Sequence, residues 1–326
     1  GGAGGGLVRN NYVGLAPDGA SARPNALGGV YVRASAENEI GGSQAAGWGN
    51  LVSGNSAGAG VEFAGCTSGP NLVLGNSIGT DAAGLAARPN QWGGRSSDSG
   101  GVEVGDSSDT GNLVSGNASW GIRITQSDDS LALSRLNRVR FSVVGLAANG
   151  SALGNGTAAE SDGGILIEAG ARENQVGGTS PGEGNVISGN VGCGVRIARG
   201  AANRLEGNRI GTDAAGAAAI GNSRHGVFIE GAEGVGWAAE SNVVGGGDSY
   251  YLNVISGNAG AGIRIEGTAA RRNQIAGNAI GTDPGGTARL PNLEGGIAIA
   301  GGACGNLVAS NRIAFNGQSG SGDGCR

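Results

Sequence analysis

Internal repetition constrains this chain more than any other feature. The phrase Asn-Leu/Val-Val/Ile-Ser-Gly-Asn starts at Asn50, Asn112, Asn185 and Asn253. A second phrase, Asn-x-Ile-Gly-Thr-Asp, starts at Asn76, Asn208 and Asn278, with degenerate copies at Asn11 and Ser142. A third, Gly-Ile/Val-x-Ile/Val, starts at Gly29, Gly60 (reading Gly-Val-Glu-Phe), Gly101, Gly121, Gly164, Gly194, Gly226, Gly262 and Gly296. Each phrase alternates apolar and polar residues and closes on Gly or Asn, which is a short strand ending in a turn. Three such strands per roughly 30 residues make one triangular coil, and stacked coils bury their Val, Ile and Leu against each other. The third phrase predicts at least nine coils, with short and long coils alternating.

Composition excludes the competitors. Gly accounts for 72 of 326 residues, and Gly in a helix interior costs about 1 kcal/mol relative to Ala, so a helical domain is ruled out. Gly follows no three-residue period and Pro numbers only 7, which rules out collagen. Regular apolar spacing and low charge argue against disorder. No apolar run is long enough to span a membrane. The net charge of −5 and the lack of any basic run give no support to nucleic-acid binding.

These units, of the form GNVISGN…GIxIxG…GNxIGTD, resemble those of right-handed parallel β-helix repeat proteins, the pectate-lyase-like superfamily in the broad sense, and more narrowly a secreted bacterial repeat type. The resemblance implies an all-β fold: a right-handed parallel β-helix of about ten coils, three short strands per coil, as a single domain over residues 1–316 with a C-terminal tail or cap over 317–326. It further implies side-chain ladders at the coil corners, formed by Asn50, Asn112, Asn185, Asn253 and Asn306. The architecture hosts lyases, hydrolases, epimerases, adhesins and spacers, so function has to come from individual residues.

Loops are expected at two corners. One set follows the Gly-Thr-Asp phrase, near 15–28, 82–100, 146–163, 214–225 and 284–295, and stacks on one side because it recurs every second coil. The other lies near 41–49, 178–184 and 245–252. Trp48, Trp92, Trp237, Tyr250 and Tyr251 fall mainly in these loops. Trp48 and Tyr250 are too many coils apart to share a sugar subsite.

The sole histidine, His225, precedes a third-phrase strand, as in polygalacturonase-like β-helix hydrolases, which also need clustered Asp residues. Asp128-Asp129 is the only adjacent pair and lies about three coils away; Asp162 and Asp213 are nearer, so His225, Asp162 and Asp213 are the catalytic candidates. Asp81, Asp213 and Asp283 share a corner in alternate coils, about 10 Å or more apart. They are too far apart to supply one calcium with its six to eight oxygens, and they read as loop caps. No cofactor or metal is called for; Ca²⁺ is possible for the superfamily but unsupported here.

The outward column of the third strand is expected to run Tyr31, Glu62, Glu103, Arg123, Leu166, Arg196, Phe228, Arg264, Ala298, because alternate residues of a strand face opposite sides. Arg123, Arg196, Arg264 and Phe228 are candidate binders of an acidic polysaccharide. Against this stands pairing between coils, such as Arg196 with Glu168 or Arg264 with Glu230.

Met is absent and the chain opens Gly-Gly-Ala-Gly-Gly-Gly, the start a removed signal peptide would leave, so an extracellular or cell-surface setting is expected. Cys66 and Cys193 sit about four coils apart, beyond disulfide reach. Cys304 and Cys325 are close enough in sequence to staple the tail across the last coil. The first residues offer no recognisable cap for the N-terminal coil, so either a preceding segment or another copy docked end to end is expected to cover it. The leading functional expectation is a structural or adhesive rod; the alternative is a polysaccharide lyase or glycoside hydrolase.

Overall fold

The computed structural model describes residues 5–127, 134–158, 161–232, 236–246 and 252–317. Asp128, Asp129, Tyr250, Tyr251, Cys325 and the tail from residue 318 lie outside them. Among the described residues every regular element is a strand. Three parallel sheets of ten, ten and nine strands run the length of the molecule, each strand pairing with its counterpart one coil away. This is a right-handed parallel β-helix of about nine full turns, with the hand that parallel crossovers adopt almost without exception.

The first sheet starts at Leu7–Val8, the second at Tyr12–Val13 and the third at Val30–Arg33. The first two repeat phrases turn out to be the same rung. Both supply the second-sheet strand, as Leu51–Val52 in one coil and Ser77–Ile78 in the next. The first sheet has its own phrase, Asn-x-Ile/Val/Leu, seen in Gln175–Gly177 after Asn174 and Arg204–Glu206 after Asn203.

The inward columns are continuous. Ile165, Val195, Val227 and Ile263 stack in the third sheet, and Ile187, Ile210, Ile255 and Ile280 in the second, all fully buried. Ile265 is buried as expected. At the C-terminal end inward positions of all three sheets meet solvent: Ile299, Val308 and Ile313 are 48%, 38% and 46% exposed.

Corners are set by two devices. A residue with positive φ turns the chain, and the Asn after it ties the turn to the next coil. Glu173, Ala202, Ser241 and Arg272 have φ of 54–57° and precede Asn174, Asn203, Asn242 and Asn273. Three Asn ladders result. The first-to-second corner stacks Asn11, Asn50, Asn76 and Asn112, then Ser142, then Asn185, Asn208, Asn253, Asn278 and Asn311. The second-to-third corner stacks Asn55, Asn90, Asn117, Asn155, Asn190, Asn222 and Asn258. Asn306 belongs to the third ladder, below Asn273, and not with Asn50, Asn112, Asn185 and Asn253 as expected.

One coil departs from the pattern. Its third-sheet strand is Trp92–Ser97, inside the stretch 82–100 expected to be loop. Gly101-Val-Glu-Val supplies the first-sheet strand Val102–Val104 instead. The outward column therefore reads Arg95 where Glu103 was expected. Strand length alone cannot separate these registers, because both stretches can alternate in and out. Inward, Gly94 and Ser96 replace the usual branched residues beside Val61 and Phe63, and a void of about 30 Å³ opens there.

Two stability predictions follow from this packing. Ile255→Ala should cost about 2–5 kcal/mol through lost transfer energy and an unfilled cavity, read as a lower urea midpoint. A Cβ added at Gly94 meets nothing within 4 Å, and φ there is not positive. Gly94→Ala should therefore stabilise by about 0.4–1 kcal/mol and raise the same midpoint.

Candidate functional site

Regular stacking would leave a uniform surface, but the outer face of the third sheet is interrupted between the third and seventh coils. Trp92 and Trp120 open consecutive strands there. Trp120 is 3% exposed and packs with Leu166 and Ala198, with Trp92 against the cluster. Gly163 has no room for a side chain, since a Cβ there would lie 2.3 Å from the Cys193 carbonyl oxygen and 2.7 Å from the Trp120 ring. Beside the indoles runs an open groove of about 680 Å³, lined further by Arg123, Arg196, Asp162 and Glu168. That volume lies within the usual range for ligand clefts.

The arginines of this face are held by carboxylates of neighbouring coils. Arg123 pairs with Glu168 at 2.5 Å, Arg95 with Glu62 at 3.1 Å, and Arg196 with Glu230. Arg264 pairs within its own strand, with Glu266 at 2.7 Å. Pairing between coils is thus present, but the partners differ from the expected Arg196–Glu168 and Arg264–Glu230. Arg123 and Arg196 reach the Glu two positions on in the following coil, whereas Arg95 reaches Glu62, its register partner in the preceding coil. The hydrogen bond to Arg264 holds Glu266 below the ordinary carboxylate range. The guanidinium groups of Arg95 and Arg123 also lie 5.5 Å from the Trp92 ring centre, a cation–π arrangement.

The three catalytic candidates do not come together. Asp162 borders the groove, but its carboxylate is fully engaged. Oδ1 accepts from Ser119 Oγ at 2.5 Å, and Oδ2 accepts the Thr157 and Ala158 N–H groups at 2.9 and 2.8 Å. Asp213 sits at the start of its own loop, just after the second-sheet strand Arg209–Ile210, accepting from the Ala217 and Ala218 N–H groups at 2.7 and 3.1 Å. Asp81 and Asp283 do the same in their coils, so all three are loop caps. His225 is two strands from Gly163 in the same sheet, with Cys193 between them. It is 3% exposed, its Nδ1 accepts the Ala261 N–H at 3.0 Å, and its ring meets Phe228 edge-on at 5.5 Å.

Burial pushes the His225 pKa below its ordinary 6.5, with Glu294 opposing. The unfolded state then binds the proton more readily, so stability is present above 6.5 and falls as pH drops through that value. The expected outcome is a loss of unfolding free energy on acidification below 6.5 that His225→Asn diminishes, since Asn keeps an acceptor for Ala261 but does not titrate; urea titrations of both proteins across this range check it.

Cys66 and Cys193 are buried thiols and Cys304 an exposed one, with no disulfide among the described residues. Burial pushes the Cys193 thiol up. The expected partner of Cys304 lies outside the described residues. No group of three or more His, Cys, Asp or Glu among the described residues could hold a metal ion, and no helix there is long and apolar enough to cross a membrane.

No family model matches the chain, and no curated protein matches it. Solved structures do. A periplasmic alginate epimerase, AlgG, matches with 14% identity and a TM-score of 0.41 over 88% of this chain and 61% of its own. The A-module of the Azotobacter vinelandii mannuronan C-5 epimerase AlgE6 matches with 13% identity and a TM-score of 0.41 over 95% of this chain and 68% of its own. The chain thus spans about three fifths of the length of AlgG. The expectation of a plain structural rod is corrected on the chain's own geometry, since its third sheet carries an open groove in place of a uniform surface. What these matches and the coils have in common is the fold: the chain is a right-handed parallel β-helix.

Proposed function

We propose that the chain is a polysaccharide-acting protein whose third-sheet groove takes an acidic glycan. The observation that carries this reading is the meeting of two indoles, Trp92 and Trp120, with Arg123 and Arg196 in one open cleft. Trp92, the part-exposed indole, suits a sugar ring, with the buried Trp120 packed behind it, and guanidinium forks suit uronate carboxylates. The groove runs across successive coils, so a linear chain laid in it would meet Arg123 and Arg196 in turn.

Chemistry at such a substrate would be proton abstraction beside the uronate carboxylate, leading to elimination or to inversion at that carbon. An arginine that binds the carboxylate stabilises the charge developing on it. Glu168 and Glu230, held by Arg123 and Arg196, are the carboxylates within the groove able to accept a proton. A setting outside the cytoplasm, where such polymers are met, belongs to the same reading.

Incubation with polygalacturonate, alginate and hyaluronate, followed by absorbance for unsaturated ends and by proton NMR for epimer content, tests it. Turnover or binding of one of these polymers is expected, with Arg196→Ala weakening binding by about tenfold, the size of one charge-assisted contact. Absence of both binding and turnover on every polymer would overturn the reading.

A further inference from the structure

The second sheet carries a different feature, generated by the alternation of coils. Odd coils bear the Gly-Thr-Asp loops at the corner after the second-sheet strand. Even coils bear loops at the corner before it, at 43–49, 106–111 and 178–184. The loop at 106–111 is one the repeat phrases did not signal. The outer face of the second sheet therefore lies between two ridges.

Both ridges are tied across the coil that each skips. On one side Ala82 N–H donates to Gly19 O and Ala148 N–H to Gly84 O, both at 2.9 Å. On the other, Gln44 N–H donates to Asp109 O and Ala45 N–H to Asp109 Oδ1, both at 3.0 Å, and Gln44 Nε2 donates to Gly111 O. Between the ridges a trough of about 550 Å³ opens over the first five coils. Its floor is the outward column Tyr12, Leu51, Ser77, Leu113 and Val143, and Phe141 stands beside the far end. From Tyr12 to Val143 is four strand spacings, about 19 Å.

No charged side chain lines this trough, in contrast with the arginine- and glutamate-lined groove of the third sheet. We propose that it is a second binding site, for a neutral carbohydrate chain. Aromatic rings at both ends offer stacking platforms, with Tyr12 half exposed. Aliphatic floor residues suit the apolar faces of sugars, and Gln44, Ser77 and Ser108 supply partners for hydroxyls. The locked ridges pre-form the site and so lower the ordering cost of binding. An extended peptide fits less well. Its backbone donors and acceptors require pairing, and the middle strands of the floor already bond to a strand on each side, leaving no edge for strand addition.

Isothermal titration of the full chain with cellohexaose, xylohexaose and mannohexaose, beside a uronate hexamer and an extended Ser/Gly peptide, tests this. One neutral hexasaccharide should bind with Kd of about 1 mM or tighter. Tyr12→Ala, at an exposed side chain, should weaken it about three- to tenfold, the size of one lost stacking contact; Tyr12→Trp should restore it. Ser77→Trp, which fills the floor, should abolish it. Arg196→Ala should leave it unchanged while weakening the uronate hexamer, so the two grooves succeed or fail separately. Failure of all three neutral sugars to bind, insensitivity to Tyr12→Ala and Ser77→Trp, or preference for the peptide would overturn the proposal.

Discussion

The structure depends on one hydrogen-bonded unit, the buried asparagine amide repeated at the coil corners. Asn76 shows how it works. Its carbonyl accepts the Asn50 backbone N–H and the Asn50 amide, and its own amide donates to Ile40 O and to the Asn112 carbonyl. Every donor and acceptor of the side chain is used, which lets a polar group sit at 1% exposure without the penalty of an unmet partner. Asp lacks the donors, and Gln would add a methylene to a site whose neighbours are backbone atoms. At several corners the residue before the ladder side chain is in the left-handed region, so backbone strain is carried at non-glycine positions such as Ala202, before Asn203, and Phe141, before Ser142, and the ladder that follows over-determines it.

Once the corners are fixed, every strand position becomes a column, and the surface is read in columns rather than in residues. That explains why a change in one coil matters. Replacing branched residues by Gly94 and Ser96 loosens the core locally, and placing Trp92 and Trp120 at the heads of the neighbouring strands builds the wall of a groove. Leu166 interrupts the arginine column between Arg123 and Arg196 and gives the indoles an apolar floor. The alternation of loops does the same for the second sheet, since ridges form only when loops at one corner are close enough to bond across the bare coil between them.

The charged face is balanced rather than cationic. Arg95, Arg123 and Arg196 each touch a Glu of an adjacent coil. Such half-exposed pairs contribute little to stability. They hold the guanidinium groups in place over the sheet, so an anionic ligand would exchange one carboxylate partner for another instead of ordering three long side chains.

Much of the architecture was determined by the sequence itself. Strands closing on Gly or Asn, repeated at a fixed period, can bury their apolar faces only by stacking, and the inward placement of Ile187, Ile255 and Ile265 follows from the two-residue period of a strand. The first sheet was legible too, in the Asn-x-Ile/Val/Leu phrase at Asn174, Asn203 and Asn273, but it is masked by the stronger Gly-rich phrases beside it. Other features were decided only in three dimensions. Gly101-Val-Glu-Val and Trp92–Ser97 compete for the same register, and the neighbouring strands choose between them through which ladder bonds and core contacts each can make. The separation of His225, Asp162 and Asp213, the partners of the arginines and the two grooves also depend on which coil, and which part of its loop, each residue occupies. A period in sequence gives the spacing of coils, but the azimuth of a side chain around the coil is set by loop lengths that differ from one coil to the next.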